Sequence, residues 1–265
     1  MFPRLIDFGN YGLPTYGVMA AAGLLIGLWM IARLAQREGL DPDRIWNLGI
    51  LAILSGVIGA KLLLVINEWQ YYSANPKALF SAYMLQAGGV FFGGLLGALA
   101  VSIWYVRRHQ MPVLKCCDVF APGIALGHAI GRLGCFAAGC CYGKATDSFL
   151  GVTFTSRLAH EYTGVPLGIP IHPTQLYEFA VEMANFGILM WLFKRKSFDG
   201  QVMGTYLFLY GIARYFLEYL RDDGERGLIL GGIMTTTQSI AIALVVAGGV
   251  LWLRRSQPRV ETAHP

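Results

Sequence analysis

Seven apolar stretches, each about as long as a membrane-spanning helix, dominate this 265-residue chain. A helix that crosses a bilayer needs about 20 mostly apolar residues, and such stretches lie at 16–35, 45–66, 88–106, 120–138, 173–193, 202–220 and 235–253. Only 14% of the residues are charged, whereas soluble domains average roughly 25%. This low charge excludes a disordered chain, a coiled coil and an ordinary soluble enzyme. We predict an all-α integral membrane protein with seven transmembrane helices in one domain, residues 1–265.

Basic residues are distributed unevenly between the two sides that seven helices would create. The first, third and fifth connections, the C-terminal tail and the last turn of the first span contain 12 lysines and arginines, whereas the N-terminus and the other connections contain six. Because cytoplasmic loops carry the basic excess in membrane proteins, we predict an outer N-terminus and a cytoplasmic C-terminus. The longest connection, 139–172, then forms a small outer cap, in which residues 152–154 predict a short strand.

Three further basic residues, Lys61, Arg132 and Arg214, fall inside the predicted spans. Each costs about 2.5–3.5 kcal/mol at a helix centre on insertion scales, and such residues usually face a bundle interior or a wet cavity. Lys61 lies near the end of its span, so its side chain could instead extend to the outer interface. Arg132 and Arg214 are candidates for a functional site, with a purely structural buried arginine as the alternative.

Arg132 shares one side of the fourth predicted helix with two other reactive side chains. His128, Arg132 and Cys135 recur at i, i+4 and i+7 and therefore form one stripe. The neighbouring stripe consists of glycines, which allow close helix packing: Gly127, Gly131 and Gly134. One face of this helix thus packs tightly while the next presents a guanidinium, an imidazole and a thiol.

The fifth and sixth predicted helices carry further polar faces. On the sixth, polar residues recur every four positions, followed by one more arginine: Tyr206, Tyr210, Arg214, Glu218 and Arg221. On the fifth, the polar face comprises Glu178, Glu182 and Asn185. An internal Arg214–Glu218 pair is the structural alternative. Two guanidinium groups in one shared cavity would suit a phosphate, and in a bilayer that phosphate belongs to a lipid head group.

Five motifs, in order along residues 10–255, resemble those of the bacterial phosphatidylglycerol–prolipoprotein diacylglyceryl transferase family. They are Tyr16-Gly17, Gly93-Gly94-Leu95-Leu96-Gly97, Gly131-Arg132-Leu133-Gly134-x-Phe136, His172-Pro173-Thr174-Gln175-Leu176-Tyr177-Glu178 and Tyr210-Gly211-x-x-Arg214-x-x-x-Glu218. The resemblance implies a multi-pass enzyme of the bacterial cytoplasmic (inner) membrane. Such an enzyme moves the diacylglyceryl group of phosphatidylglycerol onto the lipobox cysteine thiol of a prolipoprotein, which forms a thioether and releases glycerol 1-phosphate.

The resemblance also implies partners and residue roles. The partners are phosphatidylglycerol, the prolipoprotein signal peptide with its lipobox cysteine, and the lipid bilayer; we expect no nucleic acid and no cofactor. We predict four catalytic residues: Arg132, Arg214, His128 and Tyr210. We predict these substrate-binding residues: Tyr16, Lys61, Gly131, Gly134, Cys135, Gly139, Glu178, Glu218 and Arg221. Among them, Arg132 and Arg214 would bind the phosphate, and Glu218 would orient Arg214.

Two departures from the family's pattern leave the thiol-activating base and the acceptor open. The family commonly has a histidine directly before the Gly-Gly of its third span, where this chain has Phe92. Because phenylalanine cannot accept a proton, His128 is the candidate base, with a core histidine as the alternative. Cys135, Ala138 and Cys140 stand where the signature usually has two asparagines and a glutamate. A related phospholipid-dependent transferase with a different acceptor is therefore the alternative function.

The five cysteines fall into two groups. Cys116 and Cys117 lie near the predicted cytoplasmic face, where thiols stay reduced, whereas Cys135, Cys140 and Cys141 approach the outer face. The second group is compatible with close packing, with substrate positioning, or with redox or metal chemistry. The redox alternative is a membrane thiol oxidoreductase that uses Cys140 and Cys141. Since the spacing matches no familiar zinc motif, we predict no metal site.

Overall fold

The computed structural model of the protein describes residues 2–8, 11–81, 84, 89–222, 228–229 and 234–254. Its helices are α1 (Thr15–Arg37), α2 (Pro42–Asn67), α3 (Trp69–Ala74), α4 (Phe91–Arg108), α5 (Val113–Ala138), α6 (Arg157–Thr163), α7 (Thr174–Phe193), α8 (Gln201–Leu217) and α9 (Thr236–Leu253). Three arginines that entered the comparison of loop charges lie outside the described residues: Arg226, Arg255 and Arg259.

The strands form three antiparallel two-stranded ribbons. They pair β1 (Arg4–Phe8) with β2 (Tyr11–Pro14), β3 (Val152–Thr153) with β4 (Pro170–Ile171), and β5 (Leu228–Ile229) with β6 (Met234–Thr235). Short 3₁₀ turns occupy Pro76–Phe80 and Glu218–Leu220. The described chain is therefore mostly helical, as predicted, with small sheets in its connections.

Five of the described helices, α1, α2, α5, α7 and α9, are long and apolar enough to cross a membrane. The protein is therefore a multi-pass membrane protein, in agreement with the predicted class. The two other predicted spans, 88–106 and 202–220, correspond to shorter or more charged helices. Helix α4 ends on Arg107 and Arg108 within its 18 residues, and α8 has 17 residues that include Arg214.

By its contacts the chain divides into two compact units: Met1–Leu34 with Cys117–Pro265, and Ala35–Cys116. In the second unit, α2 and α4 approach through glycines. A Cβ on Gly59 would collide with the carbonyl oxygen of Gly93, and a Cβ on Gly97 would lie 2.5 Å from the carbonyl oxygen of Ser55. Small residues let helix backbones come this close in membranes, so the Gly-Gly motif of α4 packs within the chain.

In the first unit, α1 packs against α5 through a similar contact. A Cβ on Gly127 would lie 2.8 Å from the carbonyl oxygen of Gly23, and a Cβ on Gly134 would lie 2.9 Å from the Cβ of Met19. These two members of the predicted glycine stripe therefore allow close packing. A Cβ on Gly131 would meet no atom within 4 Å, so packing does not require a glycine at that position.

We expect Gly127→Ala to lower the thermal unfolding temperature of the purified protein. Its new methyl group would press on a backbone carbonyl, and overpacking typically costs about 1–3 kcal/mol. Gly249→Ala is the matched control, because a Cβ there meets nothing within 4 Å and alanine is the better helix former. Equal unfolding temperatures for Gly127→Ala and the unsubstituted protein would contradict the predicted contact.

The connection 139–172 has its own small core. Four of its hydrophobic residues are at most 1% exposed: Phe154, Ala159, Val165 and Ile171. Ser156 begins α6 by accepting a hydrogen bond from the backbone N–H of Ala159 at 3.3 Å. The predicted strand is confirmed as β3, although it ends at Thr153 and pairs with β4. This segment is a folded cap of strands and one short helix.

The cap is tied to the end of α8 by backbone hydrogen bonds. Gly143 pairs with Arg221 in an antiparallel bridge, and the N–H of Lys144 donates to the carbonyl oxygen of Leu220 at 2.8 Å. The N–H of Gly143 also donates to the carbonyl oxygen of His172 at 3.0 Å. These bonds place the residues before α7, the residues after α8 and the chain after α5 next to one another.

Candidate active site

Arg132, in the last two turns of α5, contacts three functional side chains. Its Nη2 donates to Oε1 of Glu178 at 2.6 Å, and its Nε donates to Nε2 of His128 at 3.1 Å. Its Nη1 lies 3.9 Å from the sulfur of Cys135. The predicted His128–Arg132–Cys135 stripe is therefore present on α5, and Arg132 connects its members to α7.

Glu178 lies at the centre of the charged cluster. Its side chain is almost fully buried, and its second oxygen, Oε2, lies 3.8 Å from Nη1 of Arg221. Nε2 of His128 is 3.4 Å from Oε1 of the same carboxylate. One glutamate is thus shared by two arginines, Arg132 and Arg221. Guanidinium groups gathered in this way can hold an anionic ligand.

Arg214 makes the ion pair that its spacing with Glu218 suggests. Its Nη2 donates to Oε2 of Glu218 at 2.8 Å, and Oε1 of Glu218 accepts from the hydroxyl of Thr235 at 3.1 Å. Thr235 also begins α9 through a capping box with Gln238. The second terminal nitrogen of Arg214, Nη1, is buried and has no hydrogen-bond partner among the described residues.

The two arginines predicted to hold phosphate make separate ion pairs, Arg132 with Glu178 and Arg214 with Glu218. The rings of His128 and Tyr210 meet edge to face with centroids 5.5 Å apart. Contacts therefore join Arg132, His128 and Tyr210, whereas Arg214 is held by Glu218.

A second set of buried polar side chains extends from His128 to residues of α7 and α8. Nδ1 of His128 lies 3.8 Å from Oε2 of Glu182, and the same oxygen accepts from the hydroxyl of Tyr206 at 3.4 Å. Nδ2 of Asn185 donates to Oε1 of Glu182 at 3.3 Å. The sequence placed Glu182 and Asn185 on one face of this helix but assigned them no role at the site. Because Glu182 is buried and lies beside His128, it adjoins the candidate site.

The turn after α5 is fixed by two residues of the His172–Glu178 motif. The hydroxyl of Thr174 donates to the carbonyl oxygen of Cys141, and Nε2 of Gln175 donates to that of Cys140, both at 2.7 Å. Both donors are buried at the start of α7. Sequence reasoning recognised this motif without assigning these residues a function. Their hydrogen bonds hold the backbone of the turn beside Arg132.

Gly139 ends α5 in a left-handed conformation with φ +82°, which glycine adopts without strain. A Cβ there would also lie 3.2 Å from both Ala159 and Val165 in the cap core. These observations explain a glycine at this position through backbone geometry and packing. Its predicted contact with substrate stays a prediction.

Tyr16 and Lys61, two other predicted binding residues, belong to different units of the chain. Tyr16 is 47% exposed at the start of α1. Its backbone would lie 3.3 Å from a Cβ added to Gly134 on α5. Lys61 belongs to the Ala35–Cys116 unit, where its Nζ donates to the carbonyl oxygen of Met84 at 2.6 Å. The roles of Tyr16 and Lys61 in binding substrate also stay predictions.

Within the described chain, one group of side chains has the geometry to hold a metal ion: Cys135, Cys140 and Cys141. Hydrogen bonds from Cys135 and Cys140, together with the positive charges of Arg221 and Arg132, lower the pKa of the Cys141 thiol. Hydrogen bonds with Cys135 and Cys141 raise the pKa of Cys140. The three thiols therefore share one electrostatic environment beside the arginine cluster.

Comparison with known proteins gives consistent relatives. The family model described as prolipoprotein diacylglyceryl transferase matches residues 3–254. A Clostridium perfringens protein named phosphatidylglycerol–prolipoprotein diacylglyceryl transferase 2 is 31% identical over 94% of each chain. A Clostridium tetani protein named phosphatidylglycerol–prolipoprotein diacylglyceryl transferase is 32% identical over 94% of this chain and 95% of the relative. A Dehalococcoides mccartyi protein of the same name is 34% identical over 85% of each chain. This chain therefore belongs to the prolipoprotein diacylglyceryl transferase family.

Proposed function

We propose that this protein transfers the diacylglyceryl group of phosphatidylglycerol to the lipobox cysteine thiol of a prolipoprotein. In this reaction the sulfur attacks the glyceryl carbon that bears the phosphate. A carbon–sulfur bond forms, the carbon–oxygen bond breaks, and its electron pair leaves with glycerol 1-phosphate. Membership of the family and the substrates in the relatives' names support this function. Because those names specify a prolipoprotein, we retain the lipobox cysteine as acceptor in preference to a different one.

The observation that carries the site assignment is a buried arginine donor without an acceptor among the described residues. Nη1 of Arg214 lacks a hydrogen-bond partner among the described residues, and Arg132 and Arg221 share one carboxylate. An unsatisfied buried donor is costly, and a phosphate oxygen would supply its acceptor. As the carbon–oxygen bond breaks, negative charge grows on the phosphate, where Arg132 and Arg214 stabilise it. Such fixed donors act most strongly in a site that excludes water.

His128 accepts the proton of the acceptor thiol in this proposal. A thiol attacks well only as thiolate, so a base is needed. Nε2 of His128 accepts a hydrogen bond from Arg132, which is the state of a neutral imidazole whose nitrogen has a free electron pair. A phosphate that binds Arg132 would release this nitrogen, and Glu182 at 3.8 Å from Nδ1 would stabilise the imidazolium that forms.

We also propose seven transmembrane helices, with α4 and α8 as the two additional spans, an outer N-terminus and a cytoplasmic C-terminus in the bacterial inner membrane. The distribution of basic residues supports this orientation. The cap and the arginine cluster would then lie at the outer face, where the signal peptide of an exported precursor is accessible.

The test of the function is an assay with purified protein, phosphatidylglycerol vesicles and a lipobox peptide. The peptide should gain the mass of one diacylglyceryl group, and glycerol phosphate should be released in equal amount. The same peptide with serine in place of the lipobox cysteine is the control. Glycerol phosphate release without peptide modification would contradict the proposed acceptor, and no release beside an active member of the family would contradict the activity.

We expect His128→Gln to lower the turnover number for transfer by about 10²–10⁴-fold, the usual contribution of a general base. The low-pH limb of the rate profile, which reports deprotonation of the base, should disappear in the variant. His109→Gln, at an exposed position after α4, is the control. A uniformly lower rate with an unchanged pH profile would indicate that His128 is only a core residue.

A further inference from the structure

Three thiols converge at the end of α5, next to Arg132. Cys135 lies in the last turn of the helix, and Cys140 and Cys141 follow in the turn beyond it. The three sulfur atoms all lie within 4.8 Å of one another. None of the three forms a disulfide, and Cys135 is buried while the other two are partly buried. They form a compact set of sulfur donors.

The backbone holds this set in place. Gly139 and Cys141 both adopt left-handed conformations, with φ of +82° and +62°, and such a conformation is uncommon for a residue with a Cβ. The turn also receives the hydrogen bonds from Thr174 and Gln175 to its carbonyl oxygens at 2.7 Å. Anchoring from a separate helix fixes where the thiols point, so their convergence is part of the fold.

Thiolates are the form of cysteine that binds metals, and a metal ion displaces the thiol protons as it binds. Nη1 of Arg132 lies 3.9 Å from the sulfur of Cys135, so a positively charged group adjoins the thiols. Three thiolates and a monovalent cation carry a net charge of −2. The guanidinium of Arg132, beside the sulfur of Cys135, offsets part of this charge.

The number and type of donors select the ion. Soft thiolate ligands favour Cu(I), zinc and iron–sulfur clusters, but structural zinc sites almost always have four protein ligands. Among the described residues, this group supplies three. A trigonal ion with metal–sulfur bonds of about 2.3 Å, the length for zinc thiolates, holds its sulfurs about 4 Å apart. The observed sulfur–sulfur distances are at most 4.8 Å, so side-chain movements of under about 1 Å reach that spacing.

We propose that Cys135, Cys140 and Cys141 bind one Cu(I) ion through three thiolates. The cysteine spacing predicts no metal site, so this proposal differs from the sequence-based prediction. It is independent of the transfer reaction, because metal binding is measured without lipid or peptide substrates. Since Arg132 contacts both Cys135 and Glu178, the bound ion would adjoin the proposed phosphate site.

The test is an anaerobic titration of the full-length protein in detergent with Cu(I) buffered by the chromophoric chelator bathocuproine disulfonate. The protein should withdraw one equivalent of copper from the chelator, and X-ray absorption should show three sulfur ligands. Cys140→Ser and Cys141→Ser should each lose this binding over the range in which the unsubstituted protein saturates. Thermal unfolding without copper verifies that each variant is folded.

Cys117→Ser is the matched control. Cys117 lies on the same helix, 18 residues before Cys135, which is about 27 Å along the helix axis. This variant should bind copper like the unsubstituted protein. The proposal is overturned by a protein that takes up no copper, by binding that survives in folded Cys140→Ser and Cys141→Ser, or by loss of two thiols to a disulfide in place of copper uptake.

Discussion

Arg132→Ala should lower the rate of diacylglyceryl transfer by about 10³-fold. Removing a single transition-state donor typically costs about 10²–10³-fold in turnover, and this side chain also contacts His128 and Glu178 at 3.1 and 2.6 Å. The variant should also be less stable, since breaking a buried ion pair costs about 3–5 kcal/mol. Rates are therefore measured at a temperature where circular dichroism shows the variant to be folded.

Arg132→Lys separates charge from geometry. An ammonium keeps the positive charge but cannot reproduce the planar set of donors that a guanidinium presents. We expect it to recover stability more than activity. Arg108→Ala, at an exposed position at the end of α4, controls for loss of a helix-end arginine. Activity in folded Arg132→Ala within tenfold of the unsubstituted protein would contradict phosphate stabilisation by this residue.

Arg214→Ala should lower transfer by about 10²–10³-fold and weaken inhibition by added glycerol 1-phosphate. Both effects follow because Nη1 of Arg214 is the buried donor that a phosphate oxygen would satisfy. Product inhibition is the informative measurement, since a side chain that only supports the fold would change the rate without changing the affinity for a phosphate.

Glu218→Gln tests the structural alternative for the same arginine. The substitution keeps an amide oxygen that can accept from Arg214, whose Nη2 now donates to Oε2 at 2.8 Å, but removes the negative charge. We expect about a tenfold loss of rate, the result of a less well oriented guanidinium. If Glu218→Gln and Arg214→Ala are equally impaired and glycerol 1-phosphate inhibits both as it inhibits the unsubstituted protein, the pair is structural.

Local periodicity explains the success of the sequence analysis at α5 and α7. His128, Arg132 and Cys135 share a stripe because an α-helix repeats every 3.6 residues, and Glu178, Glu182 and Asn185 share a face for the same reason. The structure confirms both arrangements through the contacts of Arg132 and Glu182. The family motifs likewise indicated the correct family, because they consist of residues at fixed local spacing.

The partner of each charge was harder to predict. The sequence suggested Arg132 and Arg214 as a pair, yet Arg132 contacts Glu178, 46 residues away, and Arg221 approaches the same glutamate. Arg221 reaches this position because the backbone bridge from Gly143 holds the chain after α8. Spacing along one helix contains no information about such a bridge.

The sequence by itself determined the membrane class, most helices, the polar stripes of α5 and α7 and the family, because hydropathy and helical repeat are local properties. The tertiary structure alone decided that Glu178 joins two arginines and that Thr174 and Gln175 fix the cysteine turn. Those contacts join segments far apart in the chain. They depend on how glycine-lined helices and the cap pack, and packing energies are shared among residues that no single motif contains.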